Sequence, residues 1–500
     1  MSFRTVLIRL FPLLLAAQTA GSQTSIDFAS RSIQVKGAVS GVTAMDIDGD
    51  SLADLAVSHT LNTLTLRKAH RLTVMFQDRG GAFNRRFSLD PGRDCILWDL
   101  ADIDLDGRAE LLLLKQNGIY FRRISNSGFG AADIQLVREK CLLPGSGGNL
   151  PRYPLSLTVQ DGVPPLLVMP AWASMNLYRR TGIGYEPGRR LYTPFPAAFT
   201  ADHDLSYILQ LPELQAGRFN RDAHADILCI HGSTLNIFLS LDRRRGSNTD
   251  LTVPDLRYLM RSRAISPSVF EQISPEDFRI ETVDLNADGY LDVVLSKSPR
   301  ARFRTGISQV QIFMNRGGRI ETLPDQILTA DHFSGDHIIA DLNRDGLQDI
   351  ALLTYPLGFT QAARFLLTKR TANSYELFFM RADGSYPAVP DSRIGFTRSV
   401  DMENPLDESP LRAMGYDFSG DAVPDFLVAA DADCFTVFPG TEECGFTKKG
   451  AFSIEAPVDG DLSVTDLNGD RTADLILWKS AAPEATSTIT LLLSGGGAAP

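Results

Sequence analysis

The 500-residue chain has no Gly-x-Ser-x-Gly elbow, no phosphate-binding glycine loop and no zinc-type histidine pair. Serine-hydrolase, P-loop and zincin chemistries therefore have no footing in it. Its seven histidines, His59, His70, His203, His224, His231, His332 and His337, are scattered. His332 and His337 are read as parts of a solvated turn before a strand rather than as a metal pair or a base. Basic clusters are scarce. The short run Arg243-Arg244-Arg245 reads as a solvated turn, and without a basic stripe no nucleic acid partner is expected. No segment past residue 22 is apolar for long enough to cross a membrane, so no membrane span is expected. Five cysteines leave one over. Cys434 and Cys444 flank one hairpin and are a candidate disulfide. Cys95 and Cys141, in neighbouring repeats, are a weaker candidate. Cys229, inside Asp226-Ile227-Leu228-Cys229-Ile230, reads as a buried, inert thiol. Of the three tryptophans, Trp98 and Trp478 lie in strand-like runs and are assigned to the core. Trp172, beside Pro170, is the one placed to stack on a sugar ring.

Residues 1–22 read as a secretory signal. Arg4 and Arg9 supply the charge, Leu10 to Ala17 the apolar stretch, and Ala20-Gly21-Ser22 the small residues of a cleavage site. No cysteine follows to carry a lipid anchor. Residues 23–500 are then one mature domain, secreted or periplasmic.

What is abundant is an acidic loop with oxygen-bearing residues on alternate positions. Numbered from its first ligand, it offers side chains at positions 1, 3, 5 and 9 and a backbone carbonyl at position 7. Six copies are intact. They are Asp46, Asp48, Asp50, Leu52, Asp54; Asp102, Asp104, Asp106, Arg108, Glu110; Asp284, Asn286, Asp288, Tyr290, Asp292; Asp341, Asn343, Asp345, Leu347, Asp349; Asp417, Ser419, Asp421, Val423, Asp425; and Asp466, Asn468, Asp470, Thr472, Asp474. Hard oxygens at this spacing suit calcium, which takes six to eight of them in a forgiving geometry. A small residue at position 6 allows a sharp turn. About six structural Ca2+ sites are expected, and no catalytic residue is assigned. Uncompensated carboxylates packed this closely repel one another and are costly to desolvate. The six loops hold one third of the 60 acidic residues, and six divalent ions would more than cancel the formal charge of −11. The EF-hand shares the opening of this motif but needs Glu at position 12. Here that position is Val57, Leu113, Leu295, Leu352, Val428 or Leu477. A seventh copy, Arg218-Asn220-Asp222-Asp226, has a cation at position 1, so it is expected to bind weakly or not at all, with the guanidinium standing in for the ion. A relic from Leu157 to Pro165 keeps only Asp161-Gly162 and should hold no metal.

The loops begin at 46, 102, 157, 218, 284, 341, 417 and 466. A period of roughly 60 residues, all strand and turn, points to propeller blades. Each unit continues into a strand, a glycine turn and usually an aromatic, as in Thr73-Val74-Met75-Phe76 followed by Gly80-Gly81-Ala82-Phe83. The relic unit keeps this hairpin, which makes eight four-stranded blades. The alternative is seven, with the relic region an insertion. The chain around Ser25 to Phe28 is expected to lead a strand that completes the last blade and removes an open edge. Two long stretches, Arg243 to Glu276 and Ala372 to Pro410, read as extended loops, where function often sits.

These loops, their spacing and the glycine-aromatic hairpin resemble FG-GAP or VCBS-type repeats, found in the integrin α-chain propeller and in many secreted bacterial proteins. The resemblance covers nearly all of residues 25–497. The Phe-Gly and Gly-Ala-Pro strings are mostly missing, the closest being Gly128-Phe129-Gly130, which places the chain nearer the VCBS-like side. The resemblance implies an all-β propeller stiffened by calcium. Some carriers of such propellers resemble rhamnogalacturonan lyases. Two functions follow as expectations: a non-catalytic module, expected to be a monomer, that binds a protein or glycan; or a calcium-dependent polysaccharide lyase or hydrolase on the same scaffold.

Overall fold

After each acidic loop the apolar residues run without alternation: Leu55-Ala56-Val57, Leu111 to Leu114, Val293-Val294-Leu295. Such runs suit strands covered on both faces. In the computed structural model they are the second strands of four-stranded antiparallel sheets, and these side chains are at most 2% exposed. The structure describes residues 28–497 except 62–68, 146–148, 183, 194–196, 201–205, 210, 223, 232–233, 240–250, 253, 260–277, 298–308, 322, 331–332, 355–364, 366, 400–411, 432, 442–444, 450, 459 and 480–485.

Eight such sheets form the blades of a β-propeller. Blade one consists of Ala38–Met45, Asp54–Leu61, Ala69–Phe76 and Arg85–Leu89, counted first to fourth from axis to rim. The first strands of blades two to eight begin at Cys95, Ser156, Glu213, Phe278, Phe333, Arg412 and Asp461. Every acidic loop joins a first strand to a second, so all of them lie on one face of the ring. The connections from second to third strand lie on the other. Fourth strands alternate, as in Phe452–Glu455, because their outer side meets water.

The relic loop forms the turn between Ser156–Leu157 and Leu166–Ala171, with Gly162 left-handed at φ 73°, so its unit is a blade and the count is eight. This blade gains a short fifth strand, Leu251–Thr252, parallel to Gly184–Tyr192. Blade eight takes its fourth strand from the N-terminal end: Ala29–Lys36 lies antiparallel on Thr486–Leu493, Ala29 opposite Leu493 and Lys36 opposite Thr486. The ring closes by this pairing.

Eight apolar clusters fill the eight contacts between consecutive blades. They correct the proposed Cys95–Cys141 bridge. Cys95 belongs to the cluster between blades one and two, and Cys141 to the one between blades two and three. The sheet of blade two separates the thiols, and both are free. Cys229 is fully buried, and burial pushes its thiol up to about 12, which leaves it unreactive. Cys444, and with it the bridge to Cys434, falls outside the described residues, as do residues 1–22, Arg243 to Arg245, His203 and His332. The stretch from Ala372 to Pro410 is not one long loop. It holds most of the third and fourth strands of blade six, Arg370–Phe378 and Ser392–Ser399. Counting from loop to loop put the extra length of this blade in the wrong connection. His337 is likewise no solvated turn. It lies inside the strand Phe333–Ala340, 4% exposed, with Nε2 3.3 Å from Glu281. Trp98 is buried, as expected of a core residue, and its ring nitrogen donates to the Leu150 carbonyl at 3.3 Å. Trp478 packs against the cluster between blades eight and one. Trp172 is 42% exposed at the turn between two strands of blade three, and donates to the Leu142 carbonyl at 3.1 Å.

Ile33 and Val35 carry the closing strand into the cluster with Val39, Leu55, Ile476 and Ile489. Ile33→Ala should lower the unfolding free energy by about 3 kcal/mol in urea titrations. An unchanged midpoint would mean that the N-terminal strand does not hold the ring shut.

Candidate metal centres

The loop's geometry follows from its aspartates. In all six intact copies one oxygen of the position-1 carboxylate accepts the backbone N–H of position 6: Asp46 from Ser51 at 2.8 Å, Asp102 from Gly107 at 2.9 Å, Asp284 from Gly289 at 2.8 Å, Asp341 from Gly346 at 3.0 Å, Asp417 from Ala422 at 2.6 Å and Asp466 from Arg471 at 2.9 Å. The position-5 carboxylate accepts the N–H of position 7 in every copy, as Asp50 does from Leu52 at 3.0 Å. These are Asx turns, in which short acidic side chains stand in for backbone.

So tight a path needs left-handed backbone at two positions. The sequence suggested position 6 alone, but position 4 is left-handed as well. Each intact loop has one glycine and one larger residue at this pair: Gly49 and Ser51, Leu105 and Gly107, Ala287 and Gly289, Arg344 and Gly346, Gly420 and Ala422, Gly469 and Arg471. Left-handed backbone costs a non-glycine residue about 1–2 kcal/mol, so each loop stores strain that its hydrogen bonds must offset. The seventh loop has no glycine at this pair, which is Arg221 and Ala223. Arg218 cannot accept a hydrogen bond at position 1, and its guanidinium lies 5.4 Å from the centre of the Tyr290 ring in the next blade.

Position 9 is the first residue of the second strand and pairs with the residue before position 1: Asp54 with Met45, Glu110 with Ala101, Asp292 with Val283, Asp349 with Ala340. It is almost wholly buried in all six, at most 3% exposed. One oxygen accepts the N–H of position 2, as in Asp54 with Ile47 at 3.1 Å and Asp474 with Leu467 at 2.7 Å. In five copies the other reaches an N–H just past the third strand: Gln77 for Asp54, Asn315 for Asp292, Met380 for Asp349, Gly440 for Asp425 and Ser494 for Asp474. The residue assigned from sequence as a ligand is thus also a staple between the loop and the outer hairpin. Burial, against the pull of these donors, pushes Asp54, Asp349, Asp425 and Asp474 up to about 6 and Glu110 and Asp292 up to about 7.

Position 2 was missed from sequence. It is Ile47, Ile103, Phe219, Leu285, Leu342, Phe418 or Leu467, at most 5% exposed, and each plugs the cluster shared with the following blade. Its signal was an apolar residue at the same place in all seven copies. Backbone bonds join loops across blades as well: Ala109 N to Ile47 O at 3.0 Å, Leu291 N to Arg218 O at 3.0 Å, Gln348 N to Leu285 O at 2.9 Å and Ala473 N to Asp417 O at 2.7 Å.

What remains to face a cation differs among loops. Oxygens of Asp46, Asp48 and Asp50 lie within 4.8 Å of one another, and so do those of Asp102, Asp104 and Glu110. Asp48 Oδ1, Asp104 Oδ1 and Asp341 Oδ1 are buried with no hydrogen-bond donor. Where position 3 is Asn, its amide instead donates to position 5: Asn286 to Asp288 at 3.2 Å, Asn343 to Asp345 at 3.0 Å and Asn468 to Asp470 at 2.9 Å. Turning that amide over would present its oxygen instead.

Two tests follow. Phe418→Ala should cost about 3–5 kcal/mol in denaturant titrations, because the plug leaves a cavity between blades seven and eight. The raised carboxyls make the folded, metal-free chain hold protons that the unfolded chain gives up near pH 4. Stability of the metal-free chain should therefore fall as pH rises from about 4 to about 7 and then level off. Melting curves in chelator that rise over this window would contradict the burial of position 9.

Residues 280–352 match the FG-GAP-like repeat family. The match runs from the first strand of blade five to the second strand of blade six and includes both of their acidic loops. No curated protein sequence matches the chain. Similar solved structures include an Agrocybe aegerita lectin that recognises non-reducing terminal N-acetylglucosamine, 13% identical over 93% of this chain and 86% of that one, at a TM-score of 0.35. BBS1N in complex with ARL6DN is 11% identical over 80% and 92%, at 0.32. The V. cholerae biofilm matrix protein Bap1 is 10% identical over 95% and 89%, at 0.29. At such scores these likenesses carry no inference about function. The chain is thus an eight-bladed β-propeller with an FG-GAP-like repeat at residues 280–352.

Proposed function

We propose that the chain is an exported, calcium-stiffened propeller that acts as a non-catalytic binding module for a glycan or protein. The observation that carries the calcium part is the pair of carboxylate trios in blades one and two, each with one buried oxygen that no donor meets, Asp48 Oδ1 and Asp104 Oδ1. Three like charges this close, partly out of water, call for a cation. The residues to hold it are those at positions 1, 3, 5 and 9 with the carbonyl of position 7. The ion would supply charge neutralisation and tie the strained loop, and through it the position-2 plug, to the next blade. A binding role is supported by how the loops spend their oxygens. One each at positions 1 and 5, and those at position 9, already serve backbone N–H groups. A cation held there serves the fold rather than presenting open positions to a substrate. Export is supported by the charged, apolar and small-residue pattern of residues 1–22.

Ions that bind only the folded chain stabilise it by about 2.7 kcal/mol per site at a hundredfold excess over Kd. EGTA should lower Tm by several degrees, and calcium should restore it. Blades one and two, with four acidic groups each, should hold their ions last as calcium is withdrawn. Asp288→Ala should cost more than Asp222→Ala, since the latter loop has already lost position 1. No metal by elemental analysis, with melting indifferent to EGTA, would sink the calcium reading. Release of unsaturated sugars from acidic polysaccharides would replace the binding module with a lyase.

A further inference from the structure

The contact between blades six and seven changes character along its height. Side chains alternate along strands, and the packing of Tyr375 and Phe396 against Met414 and Phe426 identifies the facing sides. In step with Tyr375 on the third strand of blade six come Asn373 and Thr371. In step with Phe396 on the fourth comes Arg398, directly opposite Thr371. In step with Met414 on the first strand of blade seven, Arg412–Tyr416, comes Arg412, whose guanidinium lies 6.0 Å from the Tyr375 ring centre. The Tyr375 and Phe396 rings stack at 6.0 Å. Above this aromatic floor stand two guanidinium groups, an amide and a hydroxyl.

Asn373 is 3% exposed, and neither its Oδ1 nor its Nδ2 meets a hydrogen-bond partner. The Thr371 hydroxyl and Arg398 Nε are also buried without one. Each such group costs about 1–3 kcal/mol, and an apolar residue of the same shape would remove the cost. Asp431, at the mouth, is already engaged by Arg370 at 3.0 Å and by the Ser399 hydroxyl. Burial eases from Asn373 to the half-buried Thr371, Arg398 and Arg412, so among the described residues the crevice is more accessible on the side away from the acidic loops.

We propose that this crevice binds a small hydroxylated carboxylate, such as the acidic sugar at the end of a glycan. A guanidinium fork matches a carboxylate in plane and charge. The amide and hydroxyl, each both donor and acceptor, suit the neighbouring hydroxyls of a sugar acid. The inference rests on the binding-module reading and not on its calcium part. Calorimetry on the full calcium-treated chain should show saturable binding of glucuronic acid, with glucose and inorganic sulfate at least about tenfold weaker. Arg398→Leu and Thr371→Val should each weaken binding at least about tenfold with Tm kept, and Asn373→Leu should weaken it while raising Tm. Glucuronic acid binding equally to wild type and Arg398→Leu, failing to bind, or bound no better than sulfate would overturn the crevice. A glycan array separates the two readings: glycans captured equally by wild type and Arg398→Leu would overturn the crevice and leave the module standing, whereas capture by neither would overturn both.

Discussion

One buried carboxylate in each of seven blades organises this ring. The position-9 residue sits at the head of the second strand, out of water, and accepts the N–H of position 2; in five of the six intact loops it also reaches the end of the third strand. A charged acceptor in low dielectric makes strong hydrogen bonds and is costly if any of them is lost. It fixes the loop to its own hairpin, and the residue it fixes, position 2, is the plug between blades. Local turn chemistry and interblade packing are thus the same device, repeated with small variations.

The variations follow one logic. A glycine at either position 4 or position 6 suffices, and in every intact loop the position-1 aspartate holds the turn through the N–H of position 6, whether that residue is the glycine or not. Where Arg218 replaces that aspartate, Phe219 still plugs and Asp226 still accepts the Phe219 N–H at 2.9 Å. Blade three has lost the loop altogether and still stacks through Leu157, Val168, Met175 and Leu177. Apolar stacking carries the architecture, and the acidic loops sharpen it. The face away from the loops is free of that constraint, and there the interblade contacts turn polar, as at Asn373, Thr371 and Arg398.

Much was legible in the sequence because the repeat is short-range. Ligand spacing, the apolar run after each loop and the glycine turn all lie within a few residues of one another, so the loops, the second strands and the closing N-terminal strand could be placed. Eight blades followed from the hairpin retained beside Asp161-Gly162. The left-handed position 4 was not legible, because Leu105, Ala287 and Arg344 carry no mark of a backbone that only a bonded loop can impose. Nor could the sequence tell that Cys95 and Cys141 lie on opposite sides of one sheet, since that depends on which way side chains alternate in strands paired far along the chain.

The sequence by itself determined the repeat, the acidic loops and the all-β character, for these are local patterns of charge and apolar residues. Tertiary structure alone decided which carboxylate oxygens are spent on the backbone and which are left bare, since that depends on strands meeting across 15 residues or more, as Asp425 meets Gly440 and Asp54 meets Gln77. It also decided that Thr371, Asn373 and Arg398 share a crevice with Arg412, because the stacking of two blades, not sequence proximity, brings their side chains together.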